Sequence, residues 1–373
     1  MKLTPREFAE YTDHDEDTLE QTTKLKCTGR NVTSITGLDV CKRLIRIDLS
    51  NNNLTLVDPI AACDSLRWLN VSKNDITSIK PLQSLESLEV LNVSQNKLCG
   101  KVGVGRMRQL KALVLNGNDI ETVGGLEKVT RLETLIISHN SIRSFGGWIS
   151  QATSLQKLSA SHNPIEWDQG ESCVQGLSAL VHMKELRLNH TGLRRVPACL
   201  ASMKRLRILE LGSNRIESVQ DVQALKALSS IWQLNLKGNT VQSIPNYQGT
   251  ILSLVSGIDV LDTKRLRPKN KKMEAKNLHL GVVHRGEEEQ QPPPKEPEQK
   301  HNDDSVENEE EDVLSEKEFT APLAKKMKKE KKKEKEKKTS KKSTKKKTTH
   351  TKRGKEALQA ILQGGSRSLN RTV

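Results

Sequence analysis

The sequence predicts an α/β repeat solenoid: a curved horseshoe whose concave face is a parallel β-sheet, followed by a disordered, charged tail. Three observations carry that prediction. Apolar residues recur in one fixed phrase, about every 22 residues, through the first 265 positions. The phrase stops before Pro268. Blocks of like charge take over from there.

The phrase is L-x-x-L-x-L-x-x-N-x-I. It reads Leu66-Leu69-Val71-Asn74-Ile76, then Leu88-Leu91-Val93-Asn96-Leu98, Leu110-Leu113-Leu115-Asn118-Ile120 and Leu132-Leu135-Ile137-Asn140-Ile142. The asparagine falls at 52, 74, 96, 118 and 140, each 22 residues after the last. Arg30 holds the register one period earlier, and Asn163, Thr191, Asn214 and Asn239 continue it at intervals of 23, 28, 23 and 25. That makes ten repeats. A repeat at fixed period is one supersecondary unit, which cannot bury its apolar side alone and so stacks on its neighbours.

Each position has a physical reading. The L-x-L core is a short strand whose alternate residues point into the stack. The asparagine stands where the chain leaves the strand, and its amide can satisfy backbone groups closed between coils, which would otherwise cost ~1–3 kcal/mol each. The second half of each repeat places apolar residues every third position, as in Ile79-Leu82-Leu85-Leu88. A period of three suits a 3₁₀-like turn better than an α-helix. Cys41 and Cys63 share the register of Leu85 and Val129, so they read as core side chains.

Both ends need sealing. Thr4-Pro5-Arg6-Glu7 is a capping-box sequence with proline at the first helical position. It predicts a helix over about residues 5–12 within an N-terminal cap spanning 1–20, with Phe8 as its apolar contact. The solenoid itself spans 21–265, and its far end is closed by Ile251-Leu252, Leu254, Ile258 and Leu261-Asp262.

Over roughly residues 20–265 the order L-x-x-L-x-L-x-x-N-x-I-x-x-I-x-x-L resembles the short intracellular class of leucine-rich repeats. That class includes a regulatory subunit of protein phosphatase 1, an axonemal dynein light chain and a spliceosomal A-prime-type protein. The resemblance implies a leucine-rich-repeat horseshoe that binds proteins, and it puts protein phosphatase 1 among the expected partners. The contact residues of that class cannot be matched one by one, and the tail has no basic-x-Val-x-Phe docking segment.

The register fixes which strand residues face outward on the concave side. Trp68, Val90, Val114 and Ile136 place apolar groups on a face expected to be wet, which suggests a partner site; the alternative is the ordinary preference of β-branched residues for strands. Arg46 and Asp48 flank that patch, and Glu185, Arg187 and Glu210 form a charged arc at the other end. The 28-residue interval contains an insertion around residues 165–171, where Trp167 is either an anchor for a partner or a lid over the widened coil.

Charge is divided unevenly along the chain. Residues 1–265 hold 32 basic and 27 acidic side chains, and 266–373 hold 29 and 19, so +10 of the total +15 lies in the tail. Within the tail, 287–318 is acidic (14 acidic, 3 basic) and 325–355 is lysine-rich (18 basic, 3 acidic). Such blocks repel themselves and stay solvated. Lys325, Lys326, Lys328, Lys329, Lys331, Lys332, Lys333, Lys345, Lys346 and Lys347 fit a nuclear or nucleolar targeting element and a weak, salt-sensitive polyanion contact. Phe319 is the tail's one aromatic residue, so base stacking there is absent.

No apolar run is long enough to span a membrane, and the charged N-terminus argues against secretion. The Asn-x-Ser/Thr matches then arise from the repeat rather than from glycosylation. The six cysteines form no CxxC pair, so metal and cofactor sites are not expected. No nucleophile–base or paired-acid constellation stands out. The sequence therefore favours a monomeric, non-catalytic protein-binding scaffold of the nucleus or nucleolus over a cytoplasmic one. A cytoskeletal or axonemal component and an RNA-associated assembly factor acting through its tail are the alternatives.

Overall fold

The repeat asparagines hold the coils together in the computed structural model, which describes residues 1–12, 16–167 and 175–266. The chain divides into two units, Met1–Leu280 and Gly281–Val373. The second unit, with the expected disordered tail, lies outside the described residues.

The coil strands of the first unit form one sheet. β2 (Lys24–Lys26) pairs with β4 (Arg46–Asp48), and the sheet continues through β5 (Trp68–Asn70), β6 (Val90–Asn92), β8 (Ala112–Val114) and β10 (Thr134–Ile136). It then passes through β11 (Lys157–Ser159), β12 (Glu185–Arg187), β13 (Ile208–Glu210), β14 (Gln233–Asn235) and β15 (Val260–Leu261). All these pairings are parallel; only the last strand, β16 (Lys264–Arg265), turns back antiparallel. The central residue of each strand points into the stack, so Leu25, Ile47, Leu69, Leu91, Leu113, Leu135, Leu158, Leu186, Leu209 and Leu234 form one buried column.

The asparagine ladder runs alongside. Asn74 Oδ1 accepts the Leu54 amide at 2.9 Å, while its Nδ2 donates to the carbonyls of Leu49 and Val71, both at 3.0 Å. Each amide thus ties its own strand exit to that of the preceding coil. Asn96, Asn118, Asn140 and Asn163 repeat the pattern. At 191 the threonine hydroxyl donates to its own coil's Leu188 carbonyl, and Asn214 reaches back to the same carbonyl. Beyond the ladder, Asp262 closes the sheet edge: its Oδ1 accepts the Leu236 amide at 2.6 Å, where other coils offer a backbone carbonyl, and Oδ2 accepts from Gln242 and from the Tyr247 hydroxyl, both at 2.9 Å. Burial, with the Asp262 charge second, pushes the Tyr247 hydroxyl pKa well up.

The residue before each ladder position turns the chain in the left-handed region. Asn51, Lys73, Gln95, Gly117, His139, His162, His190, Ser213 and Gly238 all have φ between 50° and 77°.

The opposite side of most coils carries 3₁₀ turns, as at Asp58–Ala62, Lys80–Ser84 and Val219–Ala227, matching the period of three. One stretch departs from it. β7 (Cys99–Gly103) and β9 (Asp119–Gly124) form a separate parallel pair with an irregular register at Gly100/Lys101. Glycine permits this: Gly125 has φ +85°, and a Cβ there would sit 2.5 Å from the Gly105 nitrogen. α2 (Gly146–Ser150) replaces the 3₁₀ turn one coil later, and the backbone of Gly176 presses against the Gly146 carbonyl.

At the N-terminus, β1 (Lys2–Leu3) pairs with β3 (Ser34–Ile35), and α1 is only Pro5–Phe8, continued as a 3₁₀ turn over Ala9–Tyr11. This is tighter than the regular helix expected over 5–12. Glu7 accepts from both the amide and the hydroxyl of Thr4, which lowers its carboxyl pKa, and Phe8 is fully buried. At the other end α3 (Tyr247–Leu254) covers the last coil through Ile251.

Candidate functional site

The outward face of the sheet is built from two columns, the first and third residue of each strand. In register, the first column runs Arg46, Trp68, Val90, Ala112, Thr134, Lys157, Glu185, Ile208 and Gln233. The third runs Asp48, Asn70, Asn92, Val114, Ile136, Ser159, Arg187, Glu210 and Asn235. The candidate site residues chosen from the sequence occupy these columns.

Their exposure differs from the expectation. Val90, Val114 and Ile136 are 9%, 5% and 0% exposed, so they do not form an open apolar surface. Val90 sits in register with Ala112, Val114 between Asn92 and Ile136, and Ile136 beside Ser159, on strands about 5 Å apart, in the stretch where outward residues are most buried. The Ser138 and Ser159 hydroxyls, 2.7 Å apart, bond within it. Trp68 is half-buried, and the Arg46 guanidinium lies 3.4 Å over its ring. Burial lowers the Arg46 pKa, and Asp48 opposes that shift. Asp48 in turn accepts from Ser50 and Asn70.

At the other end, Lys157 Nζ bridges to Glu185 at 2.5 Å, and Glu210 accepts from Gln233 at 2.8 Å. Arg187 lies half-buried in register between Ser159 and Glu210. The outward face is therefore half-exposed at Arg46, Asp48 and Trp68 and at Glu185 and Arg187, and buried in the middle; Glu210, expected in the open charged arc, is 9% exposed, as covered as Val90.

Trp167 is held within the body of the coils. Its indole nitrogen donates to the Thr191 carbonyl at 2.8 Å, and its ring packs 6.2 Å from that of Phe145. It walls a hollow of about 730 Å³ with Arg143, Glu166, His162, Arg194 and Arg215. The rest of the insertion, 168–174, lies outside the described residues, as do the tail lysines from Lys325 to Lys347.

Two further features lie outside the sequence-predicted site residues. His139, His162 and His190 stack, with centroids 4.0 and 4.2 Å apart. Each precedes a ladder position, in Ser138-His139-Asn140, Ser161-His162-Asn163 and Asn189-His190-Thr191, and residues beside successive ladder positions stand one coil apart. The second is an ion ladder at the strand entries, where Glu89 bridges Arg67 at 3.3 Å and Lys111 at 2.8 Å. Cys27, Cys41 and Cys63 are buried, as their register requires, and burial pushes the Cys63 thiol up to about 12.

The coil, its asparagine ladder and its outward parallel sheet find their counterpart in sequence: a family model described as leucine rich repeats (two copies) matches residues 64–102. The repeated coil is a leucine-rich repeat. No curated protein sequence matches the chain. Similar solved structures include a leucine-rich-repeat protein of Leptospira interrogans, 22% identical over 64% of this chain and 71% of that one, with TM-score 0.45. An internalin of Listeria monocytogenes is 21% identical over 68% and 90%, with TM-score 0.40. The ectodomain of the Arabidopsis thaliana receptor kinase GASSHO1/SCHENGEN3, solved with CASPARIAN STRIP INTEGRITY FACTOR 2, is 21% identical over 64% of this chain and 29% of that one, with TM-score 0.49. Among the described residues of the leucine-rich-repeat body, no helix is long and apolar enough to cross a membrane.

Proposed function

We propose that the chain is a non-catalytic, monomeric scaffold that grips a protein partner with the outward face of its sheet. The observation that carries this reading is the pair of half-exposed ends on one continuous twelve-stranded sheet: Arg46, Asp48 and Trp68 at one, Glu185 and Arg187 at the other, with Glu210 buried beside Arg187. A half-buried Trp under an Arg is the kind of group that anchors interfaces, and a charged arc supplies orientation. Leucine-rich-repeat domains in general bind proteins, and the repeat class that this sequence resembles makes protein phosphatase 1 the first partner to try. The lysine block from Lys325 to Lys347 addresses the chain to the nucleus or nucleolus.

The test separates the two parts. Purified full-length protein is titrated against protein phosphatase 1 by calorimetry, alongside Trp68→Ala/Arg46→Glu and Glu185→Arg/Glu210→Arg variants. Binding that both variants weaken at least tenfold supports the reading; no heat with the unaltered chain removes this partner. Fluorescent full-length chain with the ten named tail lysines changed to Gln should lose nuclear enrichment. Unchanged enrichment would sink the targeting proposal.

A further inference from the structure

The strand-entry residues form a continuous row, each amide donating to the carbonyl one coil earlier: Arg67, Glu89, Lys111, Glu133, Gln156, Lys184, Arg207, Trp232 and Asp259. In its first half the charges alternate, and Glu89 neutralises both Arg67 and Lys111. After Gln156 the alternation ends. Lys184 and Arg207 follow directly, and the turn beneath them adds Arg205 and Lys204, the latter where two earlier coils have Asp64 and Glu86. These four cations and Ser230 line a hollow of about 550 Å³. Lys184 is held on the Gln156 side-chain oxygen at 2.8 Å and Lys204 on the Ala227 carbonyl at 3.2 Å, contacts that position the amines without neutralising them. Among the described residues no ion pair involves any of the four. Trp232, half-buried, is the next rung of the same row, with Asp259 closing it.

We propose that this hollow seats the phosphate backbone of a single-stranded nucleic acid, with the indole of Trp232 offering a stacking surface to a base. The lining decides between polyanions. A protein partner needs an apolar, desolvated anchor, and this hollow offers four cations and a hydroxyl. Phosphate backbones are bound through such unneutralised, exposed cations, and an adjacent aromatic face is the common supplement for single strands. The site lies at the strand entries, apart from the two columns of the outward face.

The full-length protein is titrated with a fluorescein-labelled 20-nucleotide oligouridylate by anisotropy over a series of KCl concentrations. The tail is present in every sample, so differences read the hollow. Arg205→Glu/Arg207→Glu should weaken binding at least tenfold and, through two lost contacts, flatten the plot of log affinity against log salt by about 1.4. Arg106→Glu/Arg108→Glu, equal in net charge and equally exposed four coils earlier, should change affinity less than threefold. Arg205→Lys/Arg207→Lys should keep the salt slope, and ultraviolet cross-linking should map to the peptide carrying Trp232. Equal losses in the two Glu variants, or cross-links confined to the tail, would overturn the proposal. Competition by polyglutamate as strong as by unlabelled oligouridylate would assign the hollow to an acidic protein and overturn it as well.

Discussion

The guanidinium carbon of Arg46 stands 3.4 Å from the centroid of the Trp68 ring, one coil away on the outward face of the sheet. The contact converts what the sequence presents as an isolated exposed Trp into a covered one. It also explains why desolvation lowers the Arg46 pKa while its charge stays in place beside Asp48.

Removing the cover has a measurable effect. Arg46→Ala should raise acrylamide quenching of Trp68 fluorescence, read as the difference from a Trp68→Phe background. It should cost about 0.5–1 kcal/mol in urea unfolding, the range for a surface cation–π contact. Unchanged quenching would mean that the ring is shielded by something else.

The ladder asparagines should be far less tolerant. The Asn140 amide accepts from Ile120 and donates to Leu115, Ile137 and Ser138, all within 3.1 Å. Asn140→Ala leaves several buried backbone groups unpaired, at ~1–3 kcal/mol each. The expected loss is about 3 kcal/mol or more, against under 1 kcal/mol for exposed Asn53→Ala. Comparable losses at the two sites in denaturant titrations would refute the ladder as the main tie between coils.

These side chains also show why the fold was legible in the sequence and the site was not. Asn74, Leu69 and Leu82 repeat because every coil needs the same hydrogen bonds and the same packing, so periodicity encodes them. Asp262 was visible only as part of a cap; its role in closing the last sheet edge on the Leu236 amide depends on Tyr247 and Gln242, which no repeat places. Outward residues such as Val90 and Ile136 obey no repeat constraint, and their burial depends on neighbours brought together by stacking. The same holds for the hollow around Arg205 and Arg207: an acid missing from a row becomes visible only once the coils are aligned. The parallel pair of β7 and β9 escaped notice because its signal is a run of glycines, which mark close approach without naming the partner strand.

That pair supplies a contrast between two glycines. At Gly125, φ is +85° and an added Cβ would meet the Gly105 nitrogen and Cα at 2.5 and 2.6 Å, backbone atoms that cannot rotate away. Gly125→Ala should cost about 2 kcal/mol or more, combining left-handed strain with the clash. At Gly147, inside α2, a Cβ meets nothing within 4 Å, and Gly147→Ala should stabilise by about 0.5–1 kcal/mol through helix propensity. Thermal melts of the two variants should therefore move in opposite directions.

Cys63 links the core to pH. Burial is the main cause raising its thiol from 9.0 to about 12, with the neighbouring Cys41, Asp64 and Asp39 adding to it. A group whose folded pKa lies above its unfolded value contributes stability that is complete below the unfolded pKa. That contribution is lost as pH rises toward the folded one. Between pH 9 and 12, then, the unfolded chain ionises Cys63 while the folded chain does not, and stability drains away. Cys63→Val keeps an apolar side chain of similar size at this site and removes the titration. The stability gap between the variant and the unaltered chain should be constant from pH 7 to 8.5 and should shift in favour of the variant by pH 10.5. Reaction with a thiol reagent at pH 8 gives the matching kinetic readout: exposed Cys99 should react at once, and Cys27, Cys41 and Cys63 only as fast as the chain opens. Prompt modification of Cys63 in the folded protein, or a gap that does not move with pH, would show that this coil is open where the packing makes it closed.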